Sequence, residues 1–154
     1  MSPDPDDIRG WQRLDANVTT SGRLLADDVA GLKELGVRRV INLALDEHPE
    51  ALPDEAALLA AAGIAYTHIP VPFDAPNEAH FAEFCDAFGG DDGPVHVHCI
   101  MNWRVSAFLY RYNRDVTAMP EPAARKLMEQ HWSPDTSTHP AAPVWAEFIA
   151  GRAA

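Results

Sequence analysis

Cys99 and Arg104 are the two residues whose types and spacing point to chemistry. The stretch runs His98-Cys99-Ile100-Met101-Asn102-Trp103-Arg104-Val105-Ser106 and follows an apolar run, Pro94-Val95-His96-Val97. A strand that ends at a cysteine, a short loop and a helix N-terminus make an anion cradle. Unpaired backbone N–H groups and the helix dipole both favour negative charge there. The same field favours the thiolate form of a cysteine, which is its nucleophilic form. A thiolate at the mouth of such a loop, with a guanidinium beside it, is equipped to attack a bound oxyanion such as a phosphoryl group.

Something must position that loop, and the rest of the chain alternates helical and strand patterns. Short strands flank Asp15-Ala16-Asn17. A helix over 26–35 puts Leu25, Val29 and Leu32 on one face and stops at Gly36. Val37 to Leu43 reads as a strand. Pro53 opens a helix with Leu58, Leu59 and Ala62 inward, and Gly63 follows it. Ile64 to Ile69 is the next strand. Asn77 caps a helix whose Phe81, Phe84, Cys85 and Phe88 share a face. Val95 to His98 is a strand, and a helix runs from about Arg104 to Arg114. Two more helices start at Pro122 and Pro143, the last holding Trp145, Phe148 and Ile149.

Strands separated by helices imply βαβ units. The expected fold class is therefore α/β, a three-layer α/β/α arrangement with a mostly parallel central sheet. One domain over 1–154 is expected, with a core at about 11–115 and a helical C-terminal segment at about 120–152. Ligands of such sheets sit beyond the carboxyl ends of the strands, where Cys99 and the loop after Ile69 both fall.

Composition narrows the partners. The chain has 154 residues and a formal net charge of −11, which repels nucleic acid and anionic membrane surfaces. A phosphate must then be held by a local cationic focus inside an acidic envelope. No apolar run reaches membrane-spanning length, and the acidic first residues do not read as a secretory leader. The two cysteines, Cys85 and Cys99, form no disulfide framework, so reduced thiols in the cytoplasm are expected. His96, His98 and His68 lack a further cysteine or carboxylate at zinc-site spacing, so no metal and no cofactor is expected. His98 instead reads as a core histidine that holds the loop backbone, and Cys85 as part of an apolar helix face.

His98-Cys99, Asn102, Arg104 and Ser106 resemble the signature loop of the cysteine-dependent protein tyrosine and dual-specificity phosphatases. Ser21 to Cys99, with Val40-Ile41-Asn42-Leu43 and His68-Ile69-Pro70-Val71, resembles the small bacterial branch of that superfamily. In that family the loop reads Cys, two residues, Gly, two residues, Arg, then Ser or Thr. Here Asn102 stands at the glycine position, where Asn is the non-glycine residue best suited to a left-handed turn. Arg104 arrives one residue early. Aligned without a gap, Ser106 matches the family serine and Val105 the arginine. With a loop one residue shorter, Arg104 is the functional arginine and Val105 opens the helix. The stripe Val105, Phe108, Leu109, Tyr112 must face the sheet, which favours the shorter loop.

The resemblance implies a phosphate monoesterase working through a phosphocysteine on Cys99. Arg104 and the loop N–H groups of Ile100, Met101, Asn102, Trp103 and Arg104 would bind the phosphoryl oxygens. Ser106 would donate to the leaving thiolate, and Asp74, between Pro72 and Pro76, would be the general acid, with Glu78 and His80 as neighbours able to substitute. The ligand is then a small phosphorylated substrate, or phosphate or sulfate itself. A Cys-x4-Arg loop also resembles the rhodanese-type sulfurtransferases, which would carry persulfide sulfur on the same cysteine. A non-catalytic oxyanion-binding module is the third possibility, and oligomeric state is left open.

Overall fold

In the computed structural model, which describes residues 4–90 and 93–151, every strand is four residues long and the site grows out of the middle one. The elements are β1 (Gln12–Asp15), β2 (Val18–Ser21), α1 (Asp28–Glu34), β3 (Arg39–Asn42), α2 (Glu55–Ala61) and β4 (Ala65–His68). They continue as α3 (Glu78–Phe88), β5 (Val95–His98), α4 (Trp103–Asp115), α5 (Glu121–Glu129) and α6 (Ala142–Ala150). The sheet order is β1-β2-β5-β3-β4. β1 and β2 form an antiparallel hairpin, while the pairings β2–β5, β5–β3 and β3–β4 are all parallel.

Side-chain alternation assigns the two faces. On β3, Ile41 joins one buried cluster and Val40 the other. The first cluster contains Val95 and Val97 of β5 together with Phe84, Val105, Phe108, Met128 and Trp145, which belong to α3, α4, α5 and α6. The second contains Val29, Leu32 and Leu59, from α1 and α2. The molecule is thus the expected three-layer α/β fold with a mostly parallel sheet. No helix among the described residues is long and apolar enough to cross a membrane.

The helix faces follow the periodicity closely. Val105 and Phe108 are fully buried and Leu109 nearly so. Asn77 caps α3 by accepting the His80 N–H at 2.9 Å. One reading fails: α1 starts only at Asp28, so Leu25 lies before its first turn and is 53% exposed. Its N–H is engaged by the Asp28 carboxylate instead, at 2.7 Å.

Candidate active site

β5 delivers Cys99 and its neighbour His98 to opposite faces of the sheet. Cys99 continues the Val95–Val97 parity and packs into the larger core, only 1% exposed. His98 faces the α1–α2 layer, where its Nε2 lies 2.5 Å from Oε2 of Glu55 and its Nδ1 lies 3.2 Å from the carbonyl oxygen of Cys99. Both ring nitrogens face acceptors, so the ring ties the first residue of α2 to the backbone of the cysteine. The Glu55 carboxylate is buried and is steadied by Nδ2 of Asn42 at 3.4 Å. His96, one pleat earlier, accepts from the Thr19 hydroxyl at Nδ1 and meets Ser21 Oγ at Nε2. Complete burial holds this imidazole well below the ordinary 6.5, with the neighbouring His98 as a second cause. The histidines of β5 are therefore committed to hydrogen bonds, and among the described residues no group of three metal-capable side chains assembles.

Beyond Cys99 the chain turns through a left-handed residue. Asn102 takes φ 68° as the N-cap of α4, so Asn tolerates the conformation that glycine would otherwise supply. Its side chain points away from the cradle. It is fully buried and donates to the Gly10 carbonyl at 2.7 Å and the Thr20 hydroxyl at 2.9 Å. The Ile100 carbonyl also faces backwards, accepting the Arg23 N–H at 2.9 Å. Gly22 presses so closely on this carbonyl that a Cβ there would collide with it. Arg9 and Arg23 share Glu50 behind the same turn, at 2.8 and 3.1 Å. With the carbonyl pulled back, the N–H groups of Ile100, Met101, Asn102, Trp103 and Arg104 meet no acceptor among the described residues. These are the free donors that a helix N-terminus leaves.

Arg104 lies in the first turn of α4, as the shorter loop requires, while Val105 is core. Arg104 is only 6% exposed, yet within the described residues its side chain has no hydrogen bond or ion pair, and its buried Nε has no partner there. Its guanidinium carbon lies over the Phe73 ring, 5.2 Å from the centroid. A cavity of about 180 Å³ is lined by Cys99, Ile100, Met101, Trp103 and Arg104 together with His48, Phe73 and His139. Thiol and guanidinium thus converge on one hollow that no carboxylate lines, in a chain of net charge −11.

Other expected site residues fall elsewhere. Ser106 donates its hydroxyl to the Trp103 carbonyl at 3.1 Å and lines a separate small cleft with Gln12 and Leu14. One helical turn past the loop, its hydroxyl proton is thus engaged by the backbone, and Ser106 is absent from the lining of the Cys99 cavity. Asp74 is exposed and absent from the lining of the Cys99 cavity; it borders an outer depression that shares Phe73 and His139 with that cavity. Glu78 clamps Arg111 at 2.6 Å and belongs to a different part of the molecule. His80 has a buried Nδ1 without a partner and is likewise absent from the cavity wall.

Three residues here carried no sequence signal: Glu55, His48 and His139. Each comes from a segment remote from the loop, with no spacing to betray it. Trp103 does both things its position allows. It walls the cavity and stacks on Trp132 at 4.8 Å with planes 5° apart, and the Trp132 indole N–H donates to the Trp103 carbonyl. Trp145 donates to the Phe73 carbonyl at 2.6 Å, so the C-terminal helices hold the Phe73–Asp74 turn as well.

Comparison with known proteins agrees with this geometry. The crystal structure of a DUF442-family protein from Shewanella putrefaciens CN-32, described provisionally as a phosphatase, is 30% identical with a TM-score of 0.78. The match covers 94% of this chain and 93% of that one. P. aeruginosa TpbA in complex with phosphotyrosine matches at 20% identity and a TM-score of 0.72, over 99% and 88% of the two chains. The core catalytic domain of the S. cerevisiae PP-IP phosphatase SIW14, bound to citrate, matches at 12% identity and 0.76, over 95% and 87%. The last two likenesses bear on the fold alone. No curated protein matches. Sulfurtransfer is not favoured by any of these similarities. Residues 11–111 match the model of the phosphatase-like domain of beta-lactamase hydrolase-like proteins, and the chain belongs to that family.

Proposed function

We propose that the protein is a cysteine-dependent phosphatase that hydrolyses a phosphate monoester through a phosphocysteine on Cys99. The observation that carries this is Arg104: a buried guanidinium without a counterion, facing the same cavity as the cysteine. Burying an unpaired charge costs several kcal/mol, a cost that an incoming dianion offsets.

In the forward step the Cys99 thiolate attacks phosphorus as the bond from phosphorus to the leaving oxygen breaks. Arg104 and the N–H groups of residues 100–104 stabilise the charge that builds on the equatorial oxygens. Bidentate geometry suits guanidinium better than ammonium. The leaving oxygen takes a proton, for which Asp74 at the outer mouth is the proposed donor. Water then attacks the phosphocysteine, releasing inorganic phosphate and restoring the thiolate. His98, gripped by Glu55, fixes the Cys99 backbone while sulfur changes charge.

Relatives of the same fold were crystallised with phosphotyrosine and with citrate, oxyanions of the kind this cradle would hold. The small cavity suits a small phosphorylated substrate. Free thiols at Cys85 and Cys99 fit a cytoplasmic setting. The test is release of phosphate from 4-nitrophenyl phosphate. Cys99→Ser should abolish it, and Arg104→Ala should lower kcat/KM by about 10²- to 10³-fold. Asp74→Asn should slow phenyl phosphate by about 10²-fold or more and 4-nitrophenyl phosphate much less. Equal losses on both would remove Asp74 as the acid. Phosphate binding without turnover would make the protein an oxyanion-binding module instead.

A further inference from the structure

We propose that His139, in the C-terminal segment, is a substrate-binding residue that donates a hydrogen bond to the leaving group of the ester. With Asp74 across the same depression, it selects esters whose leaving group carries a neutral amide or hydroxyl. This rests on the phosphatase function above and goes beyond the family, whose match ends at residue 111.

Three observations carry it. First, His139 borders both hollows: the cavity with Cys99 and Arg104, and the adjoining outer depression with Asp74, Pro140 and Val144. An ester anchored at Cys99 and extending outwards past Phe73 must therefore pass the imidazole. Second, the ring is held in one orientation. It meets Phe73 edge-on at 4.9 Å and 88°, and Trp103 at 6.1 Å and 87°. Its backbone N–H is taken by the Ser137 hydroxyl at 3.2 Å. Third, its tautomer is set by the backbone. Nδ1 accepts the Ala141 N–H at 3.0 Å, which requires a lone pair there and places the ring proton on Nε2. That Nε2–H has no acceptor among the described residues, and the side chain is exposed.

The ring so held is a hydrogen-bond donor rather than a proton source, since giving up its only proton would leave an imidazolate. The proton for the leaving oxygen stays with Asp74. His48 repeats the device on the same cavity, its Nδ1 accepting the Glu50 N–H at 3.0 Å. The outer depression then offers an N–H donor at His139 beside the carboxylic acid of Asp74, whose second oxygen can still accept while its proton goes to the leaving oxygen. In a chain of net charge −11 a further carboxylate on the substrate meets an unfavourable field, whereas an amide or hydroxyl satisfies both groups without added charge.

The experiment compares phenyl phosphate with 3- and 4-carbamoylphenyl phosphate. In the natural protein at least one carbamoyl ester should show a KM about two- to tenfold below that of phenyl phosphate, the range of one net hydrogen bond. His139→Phe keeps the ring contacts and loses the donor, and should erase the preference with the fold intact. His139→Gln keeps an N–H at the corresponding reach and should restore it. A preference that survives in His139→Phe, no preference in the natural protein, or equal loss in the Phe and Gln variants would each overturn the proposal. The same ratios are measured as affinities in the Cys99→Ser protein by calorimetry, with inorganic phosphate as the control that His139→Phe leaves unchanged. Failure of turnover alone would thus refute the phosphatase function without deciding the role of His139.

Discussion

Helix α4 buries two arginines seven residues apart, and they live under opposite rules. Arg111 is fully buried, lies between the rings of Phe81 and Phe148 at 4.3 and 4.7 Å, and grips Glu78 through two hydrogen bonds. Arg104 is nearly as buried, touches one ring, and has no carboxylate. A chain with 23 acidic residues had partners enough for both. Charge satisfied internally contributes to the fold, whereas under the proposed function the charge left unsatisfied beside Cys99 is held for a ligand. On that proposal one helix separates architecture at Arg111 from chemistry at its N-terminal end.

Substitution should break that contrast most sharply at Arg104. Arg104→Ala should remove about 3–4 kcal/mol of transition-state stabilisation while thermal stability holds or rises slightly, because an uncompensated buried charge is gone. A large fall in Tm would make Arg104 a structural residue. Arg111→Ala should do the reverse: about 2–3 kcal/mol of stability lost with the packing of its stem and guanidinium against Phe81 and Phe148. For a chain of this size that is roughly 5–10 °C in Tm. kcat/KM measured well below the transition should stay within about threefold.

Acid should act on the layer under the loop. His96 is neutral and buried, with its folded-state proton affinity held well below the ordinary 6.5. In the unfolded chain it binds a proton near 6.5, and in the native chain it does not. Its contribution is therefore fully present above that pH and is lost as pH falls, with a slope of up to about 1.4 kcal/mol per pH unit. His96→Gln should flatten urea-derived stability between about pH 6.5 and 5; an unchanged slope would assign the acid sensitivity elsewhere. The smallest effect belongs to Glu78, whose side chain is 65% exposed. The hydrogen bond from Arg111 holds its carboxyl below the ordinary 4.5, so its contribution is present above that pH and is lost on further acidification. Solvent screening limits Glu78→Gln to about 1 kcal/mol or less.

The sequence made the scaffold and half of the candidate site legible, for reasons of distance along the chain. Val105, Phe108 and Leu109 declare the buried face of α4 by spacing alone, and that face puts Val105 in the core and leaves Arg104 to the cavity wall. The hairpin at Asp15–Asn17 and the Asn77 cap are equally local. Leu25 misleads because helical spacing carries through a residue whose backbone has not yet entered the helix. Ser106 stands two residues past the arginine rather than next to it, and the helix turns its hydroxyl towards Trp103. Glu55 and His139 stay hidden because three-dimensional closure alone brings them to the loop: one caps the ring of His98 from α2, the other enters from beyond α5. Asn102 takes the left-handed turn that its type suits, yet its side chain serves Gly10 and Thr20 rather than the cradle.

Gly22 is absent from the cavity wall and titrates no proton, yet the backward-facing carbonyl of Ile100 leaves it no room for a methyl group. A single carbon atom added there would tilt the peptide planes that aim the donors. In a mutational scan the mildest of exchanges, glycine to alanine, would then masquerade as the loss of a catalytic group, at a position the scanner would have scored as inert.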